Sequence, residues 1–369
     1  MFDVIIVGAR CAGSPLGMLL AQKGHSVLVV DRAKFPSDTL STHFIAPDGA
    51  GRLRKWGLFD RIAEAGAPVF RGLVRSMGGM TMPPNPEDPP TFAPRRTVLD
   101  DILVQAAREA GAEVREGVLV ESVILEDGVA VGIRGRTGDE PFEERGRVII
   151  GADGRESFVA RQVGAEEYNP GGGTTAGYYA YFKNFPAATT ELYLGGGAAH
   201  FVFPTNEGEV CLATEIMAER FKEFRGDVEG NFVRSFEAMP PLRERMQGAE
   251  RASKIFGFAP HPGFYRKPFG PGWALAGDAG YYRDPILGQG INDAFRDADE
   301  LSTALDATLG GRADWDEALG QFEKSRNEQT AGIYFISNLL CSNLDPSMET
   351  MAMLAGGPPP AQQEPAAVS

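Results

Sequence analysis

The sequence predicts an α/β chain: a Rossmann-type strand–turn–helix–strand unit with a second, mostly antiparallel α+β layer. Three observations predict it. Residues 4–31 read as an apolar strand (Val4-Ile5-Ile6-Val7), a glycine turn (Gly8-Ala9-Arg10-Cys11-Ala12-Gly13), a small-residue helix, a second apolar strand (Val27-Leu28-Val29-Val30) and an acid, Asp31. Apolar strands running into glycine turns return at Val148-Ile149-Ile150-Gly151 and at Trp273-Ala274-Leu275-Ala276-Gly277. Between these two, residues 174–218 read as three strands rich in aromatic and β-branched residues, with no nucleotide motif.

In chain order, the first unit comes first. Gly8 permits a tight turn, Gly13 lets the helix approach the strand, and the helix N-terminus offers free N–H groups to a pyrophosphate. Asp31 stands eighteen residues after Gly13, about where an acid meets a ribose hydroxyl. The middle glycine of G-x-G-x-x-G is Arg10, whose guanidinium suits a pyrophosphate but equally suits solvent. After an irregular stretch, a helix is expected from Asp48 to Trp56, ended by Gly57. Residues 76–95 are rich in Gly, Met and Pro and read as loop or edge structure. A helix over 97–110 places Leu99, Ile102, Leu103, Ala106 and Ala110 on one face, with Gly111 as its stop. Strands follow at 113–125, 129–134 and 141–150, the first two joined by an Asp127-Gly128 turn. A break falls at 165–173. Amphipathic segments are expected near 218–226 and 228–239, then a strand at 250–258. A helix from about Asn292 groups Ala294, Ala298, Leu301 and Leu305, and a last helix covers 314–342. Residues 346–369 form a C-terminal tail whose end, Gly356 to Ser369, is rich in Pro, Gly, Ala and Gln and is expected to be disordered.

Composition narrows the function classes. The chain has 369 residues, 43% apolar and 23% charged, with a net charge of −14. That charge argues against nucleic acid or an anionic membrane surface as a partner. The apolar runs are too short to span a bilayer, and no basic leader precedes the first strand. Cys11, Cys211 and Cys341 show neither disulfide nor metal spacing. A cytoplasmic protein without a metal is the expectation.

Two further motifs carry chemistry. Gly151-Ala152-Asp153-Gly154 closes one strand, and Gly277-Asp278-Ala279 leads into Asp284-Pro285-Ile286-Leu287-Gly288-Gln289-Gly290-Ile291-Asn292 at the start of a helix. Each alone reads as a turn or a helix-capping loop. In this order and spacing, together with the first unit, they resemble the class A flavin-dependent monooxygenase (aromatic hydroxylase) superfamily, the p-hydroxybenzoate hydroxylase fold. That superfamily also holds geranylgeranyl reductases and flavin halogenases. The resemblance covers about residues 1–345. It implies a glutathione-reductase-type FAD-binding Rossmann domain with a β-meander, formed by 1–75, 96–165 and 265–345, and an α+β substrate domain from 76–95 and 166–264.

The resemblance also implies roles. Gly8, Arg10, Cys11, Ala12 and Gly13 would hold the ADP part of non-covalent FAD, with Asp31 and Arg32 at the adenosine end. Arg96, of the Arg-x-x-Leu pair with Leu99, would serve FAD, and Asp153 and Gly154 would lie near the pyrophosphate and the NAD(P)H approach. Asp278 would meet the ribityl chain. Gly288, Gln289, Gly290, Ile291 and Asn292 would present a helix N-terminus to the reduced ring. Pro285 would lie near the reactive edge, with Tyr282 and His43 as further catalytic candidates. His43, Tyr178, Tyr181, His200, Phe201, Phe203, Tyr281, Tyr282 and Arg283 are candidates for a substrate pocket, and the 35–43 stretch for a border of the flavin ring. Alternating Tyr179, Tyr181 and Phe201, Phe203 also fit plain sheet packing.

The implied chemistry is reduction of FAD by transiently bound NADH or NADPH, oxygen addition at flavin C4a to give a hydroperoxide, and transfer of one oxygen atom to a small aromatic or secondary-metabolite-like substrate. A reductase of the geranylgeranyl type, without oxygen insertion, is the alternative. A flavin-binding redox sensor is a third. The Trp-x-Trp-x-Ile-Pro motif of halogenases is absent, the three tryptophans being Trp56, Trp273 and Trp315. Whether the chain acts as a monomer or a dimer stays open.

Overall fold

A computed structural model describes residues 1–77, 80–347 and 350. The expected tail from 346 lies almost wholly outside the described residues. At the centre is a parallel sheet in the order Trp273–Leu275, Glu140–Gly151, Phe2–Val7, Val27–Asp31, Glu113–Glu116, with Phe269–Gly270 antiparallel at one edge. Its inner strands are continuous apolar runs because layers cover both faces: Val4, Ile5, Ile6 and Val27 to Val30 are all buried. On one face the helix Gly13–Gln22 packs between Arg96–Glu109 and Gly290–Leu309. On the other lies an antiparallel meander of Val118–Glu126, Val129–Thr137 and the first half of Glu140–Gly151.

The single strand expected at 113–125 is two strands. Gly117, at φ +70°, turns the chain out of the parallel sheet and into the meander. The strand expected at 250–258 is likewise divided, into Glu250–Arg251 and Phe256–Phe258. Short helices at Phe59–Glu64 and Pro240–Met246 had no sequence expectation.

The second layer is a mostly antiparallel sheet in the order Thr175–Lys183, Val210–Met217, Ala198–Pro204, Thr190–Gly195, Leu73–Met77, Met80–Met82, with Glu250–Arg251 and Phe256–Phe258 on the first strand's free edge. Thr190–Gly195 and Leu73–Met77 form its one parallel pair. The Leu73–Met77 strand straddles the boundary expected at residue 75, and a small sheet of Glu167–Tyr168, Phe264–Arg266 and Tyr281–Tyr282 straddles the one near 265. The two faces differ. Tyr178, Phe182, Val202 and Leu212 lie under the helices of 221–246, through Phe224, Phe232, Phe236 and Leu242. Tyr179, Tyr181, Phe201 and Phe203 face Phe44, Ile286 and the C-terminal helix Trp315–Ser342. No helix among the described residues is long and apolar enough to cross a membrane.

Candidate active site

A cavity of about 750 Å³ runs from the glycine turn to the end of the second sheet. The turn is shaped by two steric demands. Gly8 has φ +107°, and a Cβ there would lie 2.3 Å from the Ala152 carbonyl oxygen. A Cβ on Gly13 would lie 1.8 Å from the Gly8 carbonyl oxygen. Asp31 ties the turn to the second strand, accepting from the Ala9 N–H at 2.7 Å and the Ala33 N–H at 2.8 Å. The amides of Arg10, Cys11 and Ala12 donate to no described residue, as expected of orphan donors before a first helical turn.

Arg10 does not point into solvent. Its guanidinium pairs with Asp100 and donates to Ser37 Oγ at 3.0 Å. Asp100, fully buried, also accepts from Arg96 at 3.0 Å through both oxygens. Burial alone would lower the Arg96 pKa, but Asp100 holds it above the usual range. Two guanidiniums thus face one carboxylate, leaving an excess positive charge beside the orphan amides. That suits a polyanion such as a pyrophosphate. Arg95 grips the same 35–43 stretch, reaching Asp38 at 3.7 Å and covering the Tyr181 ring at 3.6 Å. Thr39 to Thr42 of that stretch line the cavity.

Opposite stand the other two motifs. Asp153 lines the cavity but also caps the helix Phe158–Gln162, accepting from the Phe158 N–H at 2.7 Å and the Val159 N–H at 3.1 Å. Burial nevertheless raises its pKa. Asp278 faces the cavity and accepts from no described residue. Burial, reinforced by Asp293, pushes its pKa up to about 6. Behind it, Asp297 holds the Gly277 N–H at 2.8 Å, and an alternating chain Arg283–Asp293–Arg296–Asp297 fixes the loop to the helix Gly290–Leu309. Gly290 and Ile291, at that helix's N-terminus, line the cavity with Pro285 and Tyr282. The Tyr282 hydroxyl accepts from Arg155 at 3.0 Å.

Three expected cofactor residues are placed elsewhere. The Asn292 side chain accepts from the Ala46 N–H at 2.9 Å and packs on Gly49, so it fastens the helix Pro47–Lys55. Gly288 and Gln289 face a second cavity of about 400 Å³ on the far side of the same loop. His43 lines neither cavity. It is fully buried, 2.7 Å from the Tyr181 hydroxyl and edge-on to Tyr179 and Tyr181. Burial, then Arg96 and Arg95, hold its pKa down at about 3, so it stays neutral. Of the pocket candidates, Tyr282 and Arg283 line the first cavity, and Phe201 and Phe203 the second. Tyr178 and His200 lie on the sheet face under the helices, Tyr178 stacked on Phe224 and His200 edge-on to Phe236. Tyr281 packs between Tyr265 and Tyr334. Sequence reasoning missed Asp100, Arg155 and the lining residue Phe258. Only the i,i+4 spacing of Arg96 and Asp100 was there to find. No metal-ligating cluster exists among the described residues.

Residues 1–183 match the FAD binding domain family. The chain is 29% identical over 329 residues to a 1H-pyrrole-2-carbonyl-[peptidyl-carrier protein] brominase of Pseudoalteromonas luteoviolacea, covering 85% of this chain and 79% of the relative. It is 27% identical over 346 residues to a digeranylgeranylglycerophospholipid reductase of Methanosarcina acetivorans, covering 89% and 81%. Among solved structures, Pseudomonas aeruginosa PqsL in complex with 2-aminobenzoylacetate superposes with a TM-score of 0.81 at 22% identity, over 96% of this chain and 99% of that one. Residues 1–183 thus form an FAD binding domain, and the chain is an FAD-dependent oxidoreductase.

Proposed function

We propose that this FAD-dependent oxidoreductase is a monooxygenase that inserts one oxygen atom into a small aromatic or secondary-metabolite-like substrate. The observation that carries the reading is the 285–291 loop. Pro285, Gly290 and Ile291 border the long cavity, while Ile286 to Gln289 border the apolar one. A redox ring seated against this loop has an organic pocket directly behind it.

The residues fit the cofactor. A cavity of about 750 Å³ falls in the range of cofactor sites. The Gly8 and Gly13 approaches leave no room for a side chain, and orphan amides with surplus arginine charge face the pyrophosphate position. Asp31 would take the adenosine ribose, Arg96 and the Arg10–Ala12 amides the phosphates, and Asp278 the ribityl hydroxyls. When bound, FAD supplies electron transfer from NAD(P)H and the activation of oxygen. The chain's own contribution is electrostatic and steric. The amides at Gly290 and Ile291 stabilise negative charge placed against the helix N-terminus. Tyr282, held by Arg155, and Pro285 shape the reacting edge. The buried faces of both layers exclude water. His43, neutral and away from both cavities, holds Tyr181 in place.

Likeness to the reductase supports a second reading, hydride transfer without oxygen insertion. Likeness to the brominase is met by a departure: the tryptophan motif of halogenases is missing. The test is to reduce the flavin-loaded protein with NADH or NADPH without air, admit oxygen with a panel of aromatic compounds, and weigh products by mass spectrometry. A product heavier by one oxygen atom, matched to oxygen consumed, is expected. Recovery of all the oxygen as hydrogen peroxide with every compound, alongside a reduced double bond in any of them, overturns the reading in favour of the reductase.

A further inference from the structure

One row of residues crosses the inner face of the second sheet in direct register. Tyr179 stands opposite Ala213, Ala213 opposite Phe201, Phe201 opposite Leu192, and Leu192 opposite Arg75. Tyr179 borders the dinucleotide cavity, while Phe201, Leu192 and Arg75 border the second one. Strands lie about 4.8 Å apart, so the four steps from Tyr179 to Arg75 span about 19 Å.

The second cavity is walled mainly by apolar side chains, among them Phe44, Leu73, Met77 and Phe203. Three charged residues border it: Arg75, Asp88 and Glu191. Glu191 is already neutralised, with Arg245 on both its oxygens at 2.7 and 2.8 Å and the Tyr193 hydroxyl at 2.6 Å. Asp88 accepts from Asn85 within its own loop. Arg75 makes no ion pair or hydrogen bond with any described residue. It shares the cavity face with Leu73 and Met77, two residues before and after it on the strand. An unpaired guanidinium at the end of an apolar trough is a receptor for a planar anion.

We propose that the second cavity binds an elongated apolar organic anion, with its carboxylate or phosphate on Arg75 and its body along the Leu192–Phe201 floor towards Tyr179. The proposal rests on reading this cavity as the substrate side of the redox site, and it narrows the substrate class. The cavity's own stretch of the row, from Phe201 through Leu192 to Arg75, is two steps or about 10 Å, and a single benzene ring carrying a carboxylate does not fill it. A long-chain or multi-ring acid covers most of it.

The test is calorimetric titration of the FAD-loaded protein, without NAD(P)H, with dodecanoate, dodecyl phosphate, dodecanol, dodecylamine and benzoate. Saturable binding is expected for one or both of the long anions, their ratio telling carboxylate from phosphate. Binding of dodecanol is expected to be roughly tenfold weaker or less, as is that of benzoate. Arg75→Met is expected to weaken the long anions roughly tenfold and leave dodecanol unchanged, and Arg75→Lys to restore part of the loss. Undiminished anion binding by Arg75→Met, tighter binding of dodecylamine, or equal binding of benzoate overturns the proposal. Because no turnover is measured, these outcomes are independent of whether oxygen is inserted.

Discussion

Asp278→Asn is expected to move stability and cofactor affinity in opposite directions. In the FAD-free protein, burial and then Asp293 push the Asp278 pKa from 3.8 up to about 6. A carboxyl whose folded pKa lies above its unfolded value costs stability as pH rises. The unfolded chain releases the proton near 3.8, whereas the folded protein keeps it to about 6, so the loss develops between those values and is complete above pH 6. Two pKa units correspond to an upper figure of about 3 kcal/mol, reduced by the residue's partial access to solvent. Asparagine removes that cost, and the FAD-free variant is expected to melt a few degrees higher at pH 7.5. The same carboxylate is the acceptor we assign to the ribityl hydroxyls. Hydrogen bonds to a charged group contribute about 1.5–3 kcal/mol, so FAD affinity is expected to fall by roughly tenfold to a hundredfold. Since FAD favours the ionised form, wild-type affinity declines as pH drops through about 6, and that of the variant does not. Flavin-fluorescence titration of the FAD-free protein between pH 5.5 and 8, with melting curves on the same samples, measures both effects. Wild-type affinity in the variant across that range would refute the assignment of Asp278, and a lowered melting temperature would refute the electrostatic account.

Other predictions address the turn and the buried acids. Gly13→Ala drives a Cβ into the Gly8 carbonyl and is expected to abolish FAD binding and lower the melting temperature, while Gly51→Ala, in open space on the helix Pro47–Lys55, stabilises by about 0.5–1 kcal/mol; equal effects at the two sites would contradict the packing argument. Arg10→Gly restores the regular glycine spacing yet loses Asp100 and Ser37, so FAD is expected to bind roughly tenfold more weakly and the 35–41 stretch to be cut faster by protease; unchanged values for both would assign Arg10 no role. Glu215 is held protonated by burial and by Asp284, its pKa raised well above 4.5. Folded Glu215 keeps a proton the unfolded chain loses, so its contribution to stability falls as pH rises above 4.5. Glu215→Gln is therefore expected to match wild type in urea unfolding at pH 4 and exceed it at pH 8, and a variant weaker at pH 8 would show an ionised Glu215.

The parts of this structure legible in the sequence are those with local signals. The strand at Phe2–Val7, the helix at Arg96–Glu109 and the glycine turns announce themselves through apolar runs, helical period and the Cβ clash that excludes other residues. The strand Leu73–Met77 did not, because its partner Thr190–Gly195 is more than a hundred residues away and a parallel pairing leaves no local trace. Asn292 illustrates a different blindness. Its position at the head of the helix was legible, but whether its amide turns to a ligand or to the Ala46 N–H depends on where the helix Pro47–Lys55 docks. Alternation gave Tyr178 and Tyr179 opposite faces, and only the helices of 221–246 decide which face is the outer one. Arg10 resisted reading for the same reason: its partner Asp100 is ninety residues away on another helix.

The loop between the two cavities is held at both ends by different layers of the molecule. At its start, Asp284 accepts from the Thr175 N–H at 2.7 Å and hydroxyl at 2.8 Å, and its carbonyl accepts from Ser337 on the C-terminal helix. At its end, Asn292 fastens to Ala46, and Asp293 pairs with Arg283 at 2.6 Å. Thr175 opens a strand of the second sheet, whereas Ala46 precedes a helix packed on the dinucleotide side. A loop clamped this way cannot move relative to one layer without breaking hydrogen bonds to the other, worth about 1.5–3 kcal/mol where they end on the Asp284 carboxylate and about 0.5–1.5 kcal/mol for the neutral Asn292–Ala46 bond. The separation between the long cavity and the apolar cavity is therefore set by the packing of the two layers. Substitutions at the far end of the apolar trough, at Arg75 above all, should then change which molecules bind while leaving FAD affinity untouched. Loosening the clamp by Thr175→Val should weaken FAD binding and substrate binding together, because it removes one support from a wall that both cavities share.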